Sequence, residues 1–260
     1  MGVLDRFRLD GKVAIVTGGS RGLGREMALA LADAGADVAI TGRSDSDLAA
    51  TATQIRGLGR QAWTVVADMG VPAACEAALA QALAAAGRVD IMVNNVGGRR
   101  ENVPLDSQPL ESWQRLMDLN LTSCFLGTRF AGAAMLARGQ GGRIINVASM
   151  NAMVAGRGIG GRHYETAKAA VLQLTRAAAA DWAPHGITVN AICPGLFMTE
   201  ANRKWQQTKP ELIDAIVANI PMGRTGQPDE LGPLAVYLAS SAAAYVTGAA
   251  LVIDGGYTLW

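Results

Sequence analysis

A glycine-rich turn near the N-terminus constrains the fold of this chain more than any other stretch. The turn has the sequence TGGSRGLG over residues 17–24; the apolar run 13–16 precedes it, and the helical pattern 25–34 follows and ends at Gly35. A short, wholly apolar run predicts a strand that is buried on both faces. Glycines between a strand and a helix let the backbone approach a pyrophosphate closely, and the helix N-terminus offers it free N–H groups. The turn predicts a dinucleotide site, with a ligand-free tight turn as the alternative.

Strand and helix patterns alternate along the rest of the chain. Strand-like runs follow at 37–41, 62–67, 89–94, 143–148, 187–192 and 250–253, and helical patterns lie between them at 45–58, 72–86, 109–137, 163–183, 196–222 and 228–240. This alternation predicts an α/β fold, a Rossmann-type doubly wound sheet of about seven parallel strands with helices on both faces. Because no linker or repeat interrupts the pattern, we expect residues 1–260 to form one domain. Ligands of such sheets bind at the carboxyl ends of the strands.

Charge and composition argue against several classes of partner. Lys and Arg number 23 and Asp and Glu 22, a balance that disfavours nucleic acid or an acidic membrane surface. The N-terminus lacks the apolar core of a signal peptide, and no apolar run reaches the length of about 18 residues that spans a membrane. Cys75, Cys124 and Cys193 are widely spaced, which indicates free thiols in a reducing compartment. We expect a cytoplasmic protein, and the spacing of ligating residues predicts no metal site.

The end of the second strand bears on the choice of cofactor. A site for NAD usually has an acid there, which binds the ribose 2′-hydroxyl, whereas a nearby arginine accommodates the 2′-phosphate of NADP. Here the strand runs into Gly42 and Arg43, and Arg21 lies within the glycine turn. Two cations without a carboxylate favour NADP(H) over NAD(H). The alternative for Arg43 is a solvated surface charge.

A tyrosine and a lysine one helical turn apart are candidates for acid–base chemistry. Tyr164 and Lys168 share a face of the predicted helix 163–183. An ammonium beside a phenol favours the phenolate and lowers the tyrosine pKa from its ordinary value of about 10. Ser149 lies at a strand end, where it could hydrogen-bond a reacting carbonyl or cap the following turn. Asn120, within an apolar helical stretch, could satisfy a backbone group or hold a water molecule.

These features together resemble the single-domain short-chain dehydrogenase/reductase family, from about residue 9 to residue 260. The residues that carry the resemblance are TGGSRGLG (17–24), Asp68, Asn94-Asn95-Val96-Gly97, Asn120, Ser149, Tyr164-Glu165-Thr166-Ala167-Lys168 and Pro194-Gly195. The glycine pattern GxxxGxG is the form typical of that family. The resemblance implies an enzyme that moves a hydride between a nicotinamide cofactor and a ketone or secondary alcohol.

The resemblance also implies a role for each matching residue. Tyr164 would be the acid or base, Ser149 would orient the substrate oxygen, Lys168 would hold the nicotinamide ribose, and Asn120 would keep a water in a proton relay. Cofactor contacts are expected from Gly18, Ser20, Arg21, Gly22, Leu23, Gly24, Arg43, Ser44, Asp68, Met69, Asn95, Val96, Gly97, Tyr164, Lys168, Ile192, Pro194, Gly195, Leu196 and Thr199. A homotetramer is expected through the helices at 109–137 and 163–183 and the last strand.

The chain departs from the family pattern at two places. Val96 replaces the alanine that is usual at its position, a change of methyl size that we expect to be harmless. The segment from Ser149 to Tyr164 is about two residues longer than the commonest spacing of the family. Because this segment borders the substrate, the difference affects substrate assignment and leaves the catalytic residues in place.

The substrate can be narrowed only in part. Residues 221–224 and 247–260 resemble gluconate 5-dehydrogenase-like members, which implies a sugar acid of the gluconate/5-ketogluconate type. A carboxylate would need a cation, and the candidates are Arg99, Arg157, Arg162, Arg203 and Lys204. Apolar residues on the same segments (Met150, Met153, Val154, Leu196, Phe197, Met198 and Trp205) instead favour a bulkier ketone or lid packing. The predicted substrate contacts are Met150, Arg157, Phe197 and Trp205.

Several functions remain compatible with these patterns. Within the same chemistry, the alternatives are a 3-oxoacyl-[acyl-carrier-protein] reductase and a broad-specificity ketone reductase. A non-catalytic NADP-sensing protein could use the same fold, although the intact set of Ser149, Tyr164 and Lys168 argues against it. A sugar-nucleotide epimerase or dehydratase would need a longer C-terminal domain than a last strand at 250–253 allows.

Overall fold

A single parallel sheet forms the centre of the molecule. The computed structural model describes residues 2–156 and 159–259. Its strands pair in parallel in the order β3-β2-β1-β4-β5-β6-β7. They are β1 (Val13–Val16), β2 (Asp37–Gly42), β3 (Ala62–Val66), β4 (Ile91–Asn94), β5 (Gly142–Val147), β6 (Ile187–Pro194) and β7 (Ala250–Ile253). The predicted doubly wound α/β fold is confirmed.

Helices cover both faces of this sheet. They are α1 (Gly22–Asp33), α2 (Asp45–Gly57), α3 (Pro72–Ala86), α4 (Leu110–Met117), α5 (Ser123–Arg138), α6 (Arg162–Trp182), α7 (Glu200–Thr208), α8 (Pro210–Val217) and α9 (Gly232–Ala239). Successive strand residues point to opposite faces, so Ala14 and Val16 pack with α1, α2 and α9, whereas Ile15 packs with α3, α5 and α6. No helix in the described ranges is long and apolar enough to cross a membrane.

The predicted helix over 109–137 is interrupted in its middle. α4 ends at Met117, a π-helical turn spans Asp118–Thr122, and α5 begins at Ser123. The side-chain amide of Asn120 donates to the carbonyl of Leu116 at 2.9 Å, taking up a backbone acceptor within the helix. Such π-turns occur frequently at functional sites. The chain is thus helical over the predicted range, with a π-turn around Asn120 that the sequence pattern did not predict.

Other element boundaries differ from prediction in smaller ways. The helical excursion over 196–222 consists of two short helices, α7 and α8, which meet at Lys209 and Pro210. The predicted helix 228–240 begins as a 3₁₀ turn, Pro228–Leu231, and continues as α9. β6 extends through Pro194, two residues past its predicted end, because it still pairs with β7 there.

The switch point of the sheet lies between β1 and β4. The chain proceeds from β1 to β2 and β3 on one side, and β4 then returns to the other side of β1. Asn95, directly after β4, ties the two strand ends together: its backbone N–H donates to the Thr17 hydroxyl and its side-chain amide to the Thr17 carbonyl, both at 3.0 Å. The glycine turn thus borders the crevice in which doubly wound sheets bind ligands.

Candidate active site

The glycine turn brings the backbone close to the crevice and starts α1 there. Gly22, the first residue of α1, has a φ of 57°, a left-handed value that favours glycine. A Cβ atom on Gly24 would overlap the carbonyl oxygen of Gly18, so the turn can close only if this residue has no side chain. The first N–H groups of a helix have no partner within the helix, and they carry a partial positive charge. The turn therefore fits the pyrophosphate of a dinucleotide.

A cavity of about 490 Å³ lies beside this turn, at the ends of β1 to β4. The predicted cofactor residues that line it are Gly18, Ser20, Arg21, Arg43, Ser44, Asp68, Met69, Asn95, Val96 and Gly97. Gly42, Asp47, Ala67, Arg100 and Leu119 also line it and were not predicted. The structure thus gathers the expected residues of the adenosine end around one cavity, which we call the cofactor cavity.

A second cavity, of about 540 Å³, continues from the first toward α6 and α7. Arg21, Asn95, Gly97 and Arg100 border both cavities. The predicted residues that line the second one are Gly22, Leu23, Gly24, Ser149, Met150, Tyr164, Lys168, Pro194, Gly195, Leu196, Phe197, Thr199 and Trp205. We call it the catalytic cavity, because it contains the serine, tyrosine and lysine singled out above.

The serine, tyrosine and lysine come from two neighbouring elements. Ser149 directly follows β5, and its hydroxyl accepts from the N–H of Asn151 at 3.1 Å, so it also caps the short turn after the strand. Tyr164 and Lys168 lie in the first turns of α6. The Lys168 ammonium, on a residue only 3% exposed, donates to the Val147 carbonyl at 2.8 Å and lies 5.9 Å from the centre of the Tyr164 ring.

The protonation of this pair is governed by burial. Burial raises the pKa of Tyr164, and a hydrogen bond with Ser149 and the charge of Arg99 oppose the rise. Burial also lowers the pKa of Lys168, to about 8. The sequence-based prediction that Lys168 lowers the Tyr164 pKa is therefore wrong, because the cost of burying a phenolate exceeds the stabilisation that the neighbouring groups give it. The phenol is protonated near neutral pH, the form that can donate a proton to a carbonyl oxygen.

Asn120 lies beside this pair, although it does not line the cavities. Its side chain is fully buried; its carbonyl oxygen accepts from the N–H of Gly98 at 2.8 Å, and its amide donates to the Gly98 and Leu116 carbonyls. A Cβ atom on Gly97 would come within 2.8 Å of the Asn120 oxygen and 2.9 Å of the Lys168 ammonium. The Asn120 side chain thus satisfies backbone groups of the loop at Gly98 and of its own helix.

Some predicted residues lie elsewhere. Ile192 packs in the core on the α1 side of the sheet and is not among the described residues that line the two cavities, because its β6 side chain points to the helix layer. Among the candidate cations, Arg99 lines the catalytic cavity, whereas Arg162, Arg203 and Lys204 do not line it in the part of the chain described. Arg162 pairs with Glu165 at 2.8 Å instead. Arg157, a predicted substrate contact, lies outside the described residues.

Arg100 is a site residue that the sequence patterns did not single out. It lines both cavities, and burial together with the nearby charges of Arg43 and Arg21 lowers its pKa. Its backbone has a left-handed φ of 57°, which is unusual for a residue other than glycine. The available signal in the sequence was a pair of adjacent arginines in the loop after β4. The side chains separate in the structure, since Arg99 lies over the Tyr164 ring and Arg100 faces the other two arginines.

The catalytic cavity has both polar and apolar walls. Its further lining includes Asn151, Glu200, Asn202 and Arg99 as polar residues, and Ile159 and Ile216 as apolar ones. Met153, Val154 and Met198 are not among the lining residues that the structure describes. Within the described ranges there is no group of three or more His, Cys, Asp or Glu residues arranged to hold a metal ion.

A sheet with this switch point, a glycine turn and a serine–tyrosine–lysine set in the adjoining cavity defines a class of nucleotide-dependent enzymes. The chain belongs to the short-chain dehydrogenase/reductase family, whose model described as "Enoyl-(Acyl carrier protein) reductase" matches residues 18–258. The resemblance drawn from the sequence motifs is thus confirmed. The homologues of the chain are oxidoreductases that act on alcohol groups.

Individual relatives are named as dehydrogenases of a sugar alcohol or a sugar acid. A galactitol 2-dehydrogenase (L-tagatose-forming) of Cereibacter sphaeroides is 41% identical, over 98% of this chain and 98% of the relative. A 2-dehydro-3-deoxy-D-gluconate 5-dehydrogenase of Bacillus subtilis is 41% identical, over 99% of both chains. A crystal structure from Beutenbergia cavernae, described as an NAD(P)-dependent gluconate 5-dehydrogenase with NADP bound at low occupancy, is 38% identical and superposes with a TM-score of 0.91, over 98% of this chain and 100% of that one.

Proposed function

We propose that this chain is an NADP(H)-dependent oxidoreductase that interconverts a ketone and a secondary alcohol, with a sugar acid of the gluconate/5-ketogluconate type as substrate. The observation that carries the proposal is that Ser149, Tyr164 and Lys168 converge on one cavity, which continues into the cavity beside the glycine turn. A nicotinamide cofactor supplies the hydride when it is bound. Side chains of this chain orient the substrate and transfer the proton.

Each of the three side chains has a chemical task in this proposal. The Ser149 hydroxyl donates a hydrogen bond to the substrate oxygen and orients the carbonyl. Tyr164 donates its phenolic proton to that oxygen during reduction and accepts it back during oxidation. The raised pKa of Tyr164 keeps the proton on the phenol until it is needed. Lys168 holds the nicotinamide ribose, and Asn120 fixes the loop at Gly98 against the π-turn.

Three arginines support NADP(H) over NAD(H). Arg21, Arg43 and Arg100 line the cofactor cavity together with Asp47 and Asp68, and the residue directly after β2 is Arg43 and not an acid. Asp68 is the nearby counter-charge, with its carboxylate 3.9 Å from the Arg43 guanidinium. Guanidinium groups bind phosphate through charge-assisted hydrogen bonds. We propose that they hold the 2′-phosphate, as an NADP-bound crystal structure of a relative also suggests.

Replacing Arg43 with Ala should raise the KM for NADPH by about tenfold or more and leave the KM for NADH nearly unchanged, because a charge-assisted hydrogen bond to the 2′-phosphate is lost. Initial-rate kinetics with both cofactors measure the effect. Arg56→Ala is a matched control, since Arg56 is also on the β2–α2 side of the sheet and hydrogen-bonds the Ala62 carbonyl outside the cavities. Equal changes for the two cofactors would contradict the assignment of Arg43.

The proposal of a sugar acid as the substrate is supported by the polar wall of the catalytic cavity and by the names of the relatives. Asn151, Glu200 and Asn202 offer hydrogen-bonding groups to the hydroxyls of such a substrate, and Arg99 lies on the same wall. The names of the relatives, a galactitol dehydrogenase and a deoxygluconate dehydrogenase, point to polyhydroxylated substrates. Met150, Phe197 and Trp205 form an apolar wall. This wall favours the second candidate function, a 3-oxoacyl-[acyl-carrier-protein] reductase or a broad ketone reductase.

A comparison of three carbonyl compounds separates these candidates. With NADPH as reductant, we expect kcat/KM to be highest for 5-ketogluconate, lower for an acetoacetyl thioester and lower again for an aryl ketone. The oxidation of NADPH, followed by its absorbance, provides the measurement. A higher kcat/KM for the thioester or the aryl ketone than for 5-ketogluconate would contradict the sugar acid and favour the second candidate function.

The remaining proposals concern assembly and location. We propose a single domain over residues 1–260 and a homotetramer through α4, α5, α6 and β7. Two exposed apolar residues support the tetramer: Phe125 of α5 is 42% exposed, and Val252 of the edge strand β7 is 40% exposed. Ala167 and Ala178 of α6 are buried within the chain, so its alanines serve the core as well as any contact. We place the protein in the cytoplasm, in keeping with its three buried free thiols.

A further inference from the structure

Arg99 is a buried cation to which the acid–base step of the proposed reaction does not yet give a role. It lies in the loop after β4, and its side chain is 9% exposed. The carbon at the centre of its guanidinium group is 5.0 Å from the centre of the Tyr164 ring. A guanidinium stacked on an aromatic ring at this distance is held by the ring's quadrupole as well as by hydrogen bonds. The position is adjacent to the proposed acid–base group and not to the cofactor cavity.

The hydrogen bonds of Arg99 join both ends of the lengthened segment between Ser149 and Tyr164. One terminal nitrogen, Nη1, donates to the carbonyls of Gly160 and Gly161 at 2.6 and 3.1 Å, just before α6 begins. The other, Nη2, donates to the Asn151 side chain at 3.4 Å, two residues after Ser149. A single side chain thus fixes the spacing between the serine and the start of the tyrosine helix.

The backbone of Arg99 is fixed to the same helix. His163, which is fully buried and directly precedes Tyr164, has its Nε2 atom 2.9 Å from the Arg99 carbonyl oxygen. Its Nδ1 atom is 3.1 Å from the Gln108 side-chain oxygen. Residue 99 therefore contacts the N-terminus of α6 through both its backbone and its side chain, so that its charge has a defined place beside the phenol.

Arg99 shares its counter-charge, the carboxylate of Glu165, with other hydrogen-bond donors. Glu165 lies 3.4 Å from Arg99, but its carboxylate also accepts from Arg162 and from the N–H of Gly156, both at 2.8 Å. Because Glu165 is shared by two guanidinium groups and lies closer to that of Arg162, it compensates the positive charge of Arg99 only in part. That remaining charge faces the ring of Tyr164.

We propose that Arg99 is a positioning residue for the reaction: it sets the geometry of Tyr164 relative to Ser149, and its charge stabilises the phenolate that forms when Tyr164 gives up its proton. This inference rests on the proposed acid–base role of Tyr164. In the reduction direction, the proton passes from the phenol to the substrate oxygen, and the negative charge left on the phenol is stabilised by the neighbouring guanidinium.

The other groups that face Tyr164 do not replace this contribution. Burial and the negative charge of the Cys193 thiolate raise the Tyr164 pKa, and the hydrogen bond with Ser149 and the charge of Arg99 lower it. Lys168 is farther from the ring than Arg99, 5.9 against 5.0 Å, and its own pKa is lowered to about 8. At the pH of alcohol oxidation, Lys168 therefore loses part of its charge while the guanidinium keeps its charge.

The direct test is the ionisation of Tyr164 in the protein without cofactor or substrate, followed by NMR of ring-labelled tyrosine, with the resonance assigned by its loss in Tyr164→Phe. We expect Arg99→Gln to raise the pKa of Tyr164 by about one pH unit, because a cation about 5 Å away is removed. Arg99→Lys keeps the positive charge and should leave the pKa of Tyr164 close to its wild-type value. The same pKa of Tyr164 in the wild type and in Arg99→Gln would overturn the inference.

Two further variants keep the test decisive if Arg99→Gln folds poorly. Glu165→Gln removes the counter-charge and should shift the pKa of Tyr164 in the opposite direction, downward. Arg162→Gln is the matched control, since Arg162 pairs with the same carboxylate but its side chain is 39% exposed and does not stack on the tyrosine. A shift in Arg162→Gln as large as that in Arg99→Gln would also contradict the inference.

Kinetics then separate this inference from the proposed function. With gluconate and NADP⁺, the rising limb of the kcat–pH profile should move to higher pH in Arg99→Gln and return toward the wild type in Arg99→Lys. A wild type without turnover would refute the proposed function and leave the NMR result interpretable. Normal turnover with an unmoved limb would refute the role of Arg99 alone.

Discussion

Tyr164→Phe is expected to lower kcat for carbonyl reduction by about 10²–10⁴-fold while the Kd for NADPH changes little. The substitution removes only the hydroxyl that would exchange a proton with the substrate oxygen, and positioned acid–base groups contribute rate factors of that size. The phenyl ring remains and can still stack under the Arg99 guanidinium, so the fold around α6 should be kept. Steady-state kinetics measure kcat, and fluorescence titration of bound NADPH measures Kd.

Tyr237→Phe serves as the control for this experiment. Tyr237 is on α9, on the opposite side of the sheet, where its ring lies 6.1 Å from that of Phe7. We expect wild-type turnover and NADPH binding for this variant. Turnover retained by Tyr164→Phe would refute the acid–base role, and NADPH binding by a wild type that turns over no carbonyl compound would favour the NADP-sensing alternative.

The layout of the sheet could be predicted from local pattern because its strands are buried on both faces. Runs such as Val13–Val16 are apolar throughout, and a helical pattern separates each from the next, so the sequence predicts a parallel sheet directly. The strand ends then indicate which residues meet. The predicted site residues Gly18, Ser149 and Gly195 consequently line the two cavities, although they are distant from one another in the sequence.

What could not be predicted depends on contacts between distant segments. The π-turn at Asp118–Thr122 involves Asn120, whose partner Gly98 is 22 residues away, and no helical periodicity reports such a bond. The place of Arg100 depends on a left-handed backbone at a residue that is not glycine. The direction of the Tyr164 pKa depends on how deeply the phenol is buried, whereas the sequence shows only that a lysine is one turn away.

Lys168→Met is expected to abolish most activity and yet stabilise the protein at neutral pH. Burial lowers the pKa of Lys168 from 10.5 in the unfolded chain to about 8 in the folded one. Below about pH 8 the lysine is protonated in both states, so the native state bears the full cost of the buried charge, roughly 3 kcal/mol for a shift of this size. Methionine has a similar length and no charge, and the lost hydrogen bond to Val147 costs about 1 kcal/mol.

The net gain of about 2 kcal/mol in the free energy of unfolding corresponds to an increase in Tm of about 4–8 °C near pH 7. As the pH rises from about 8 to 10.5, the folded wild type loses the Lys168 proton before the unfolded chain does, so the wild type gains stability and the advantage of methionine disappears. Thermal unfolding at pH 7 and pH 10 measures both values, with the exposed Lys12→Met as control. A Tm difference between wild type and Lys168→Met that is independent of pH would show that Lys168 bears no such cost. The fold would then accommodate a lysine as easily as a methionine at this position, and the proposed role of Lys168 in holding the nicotinamide ribose would carry no cost in stability.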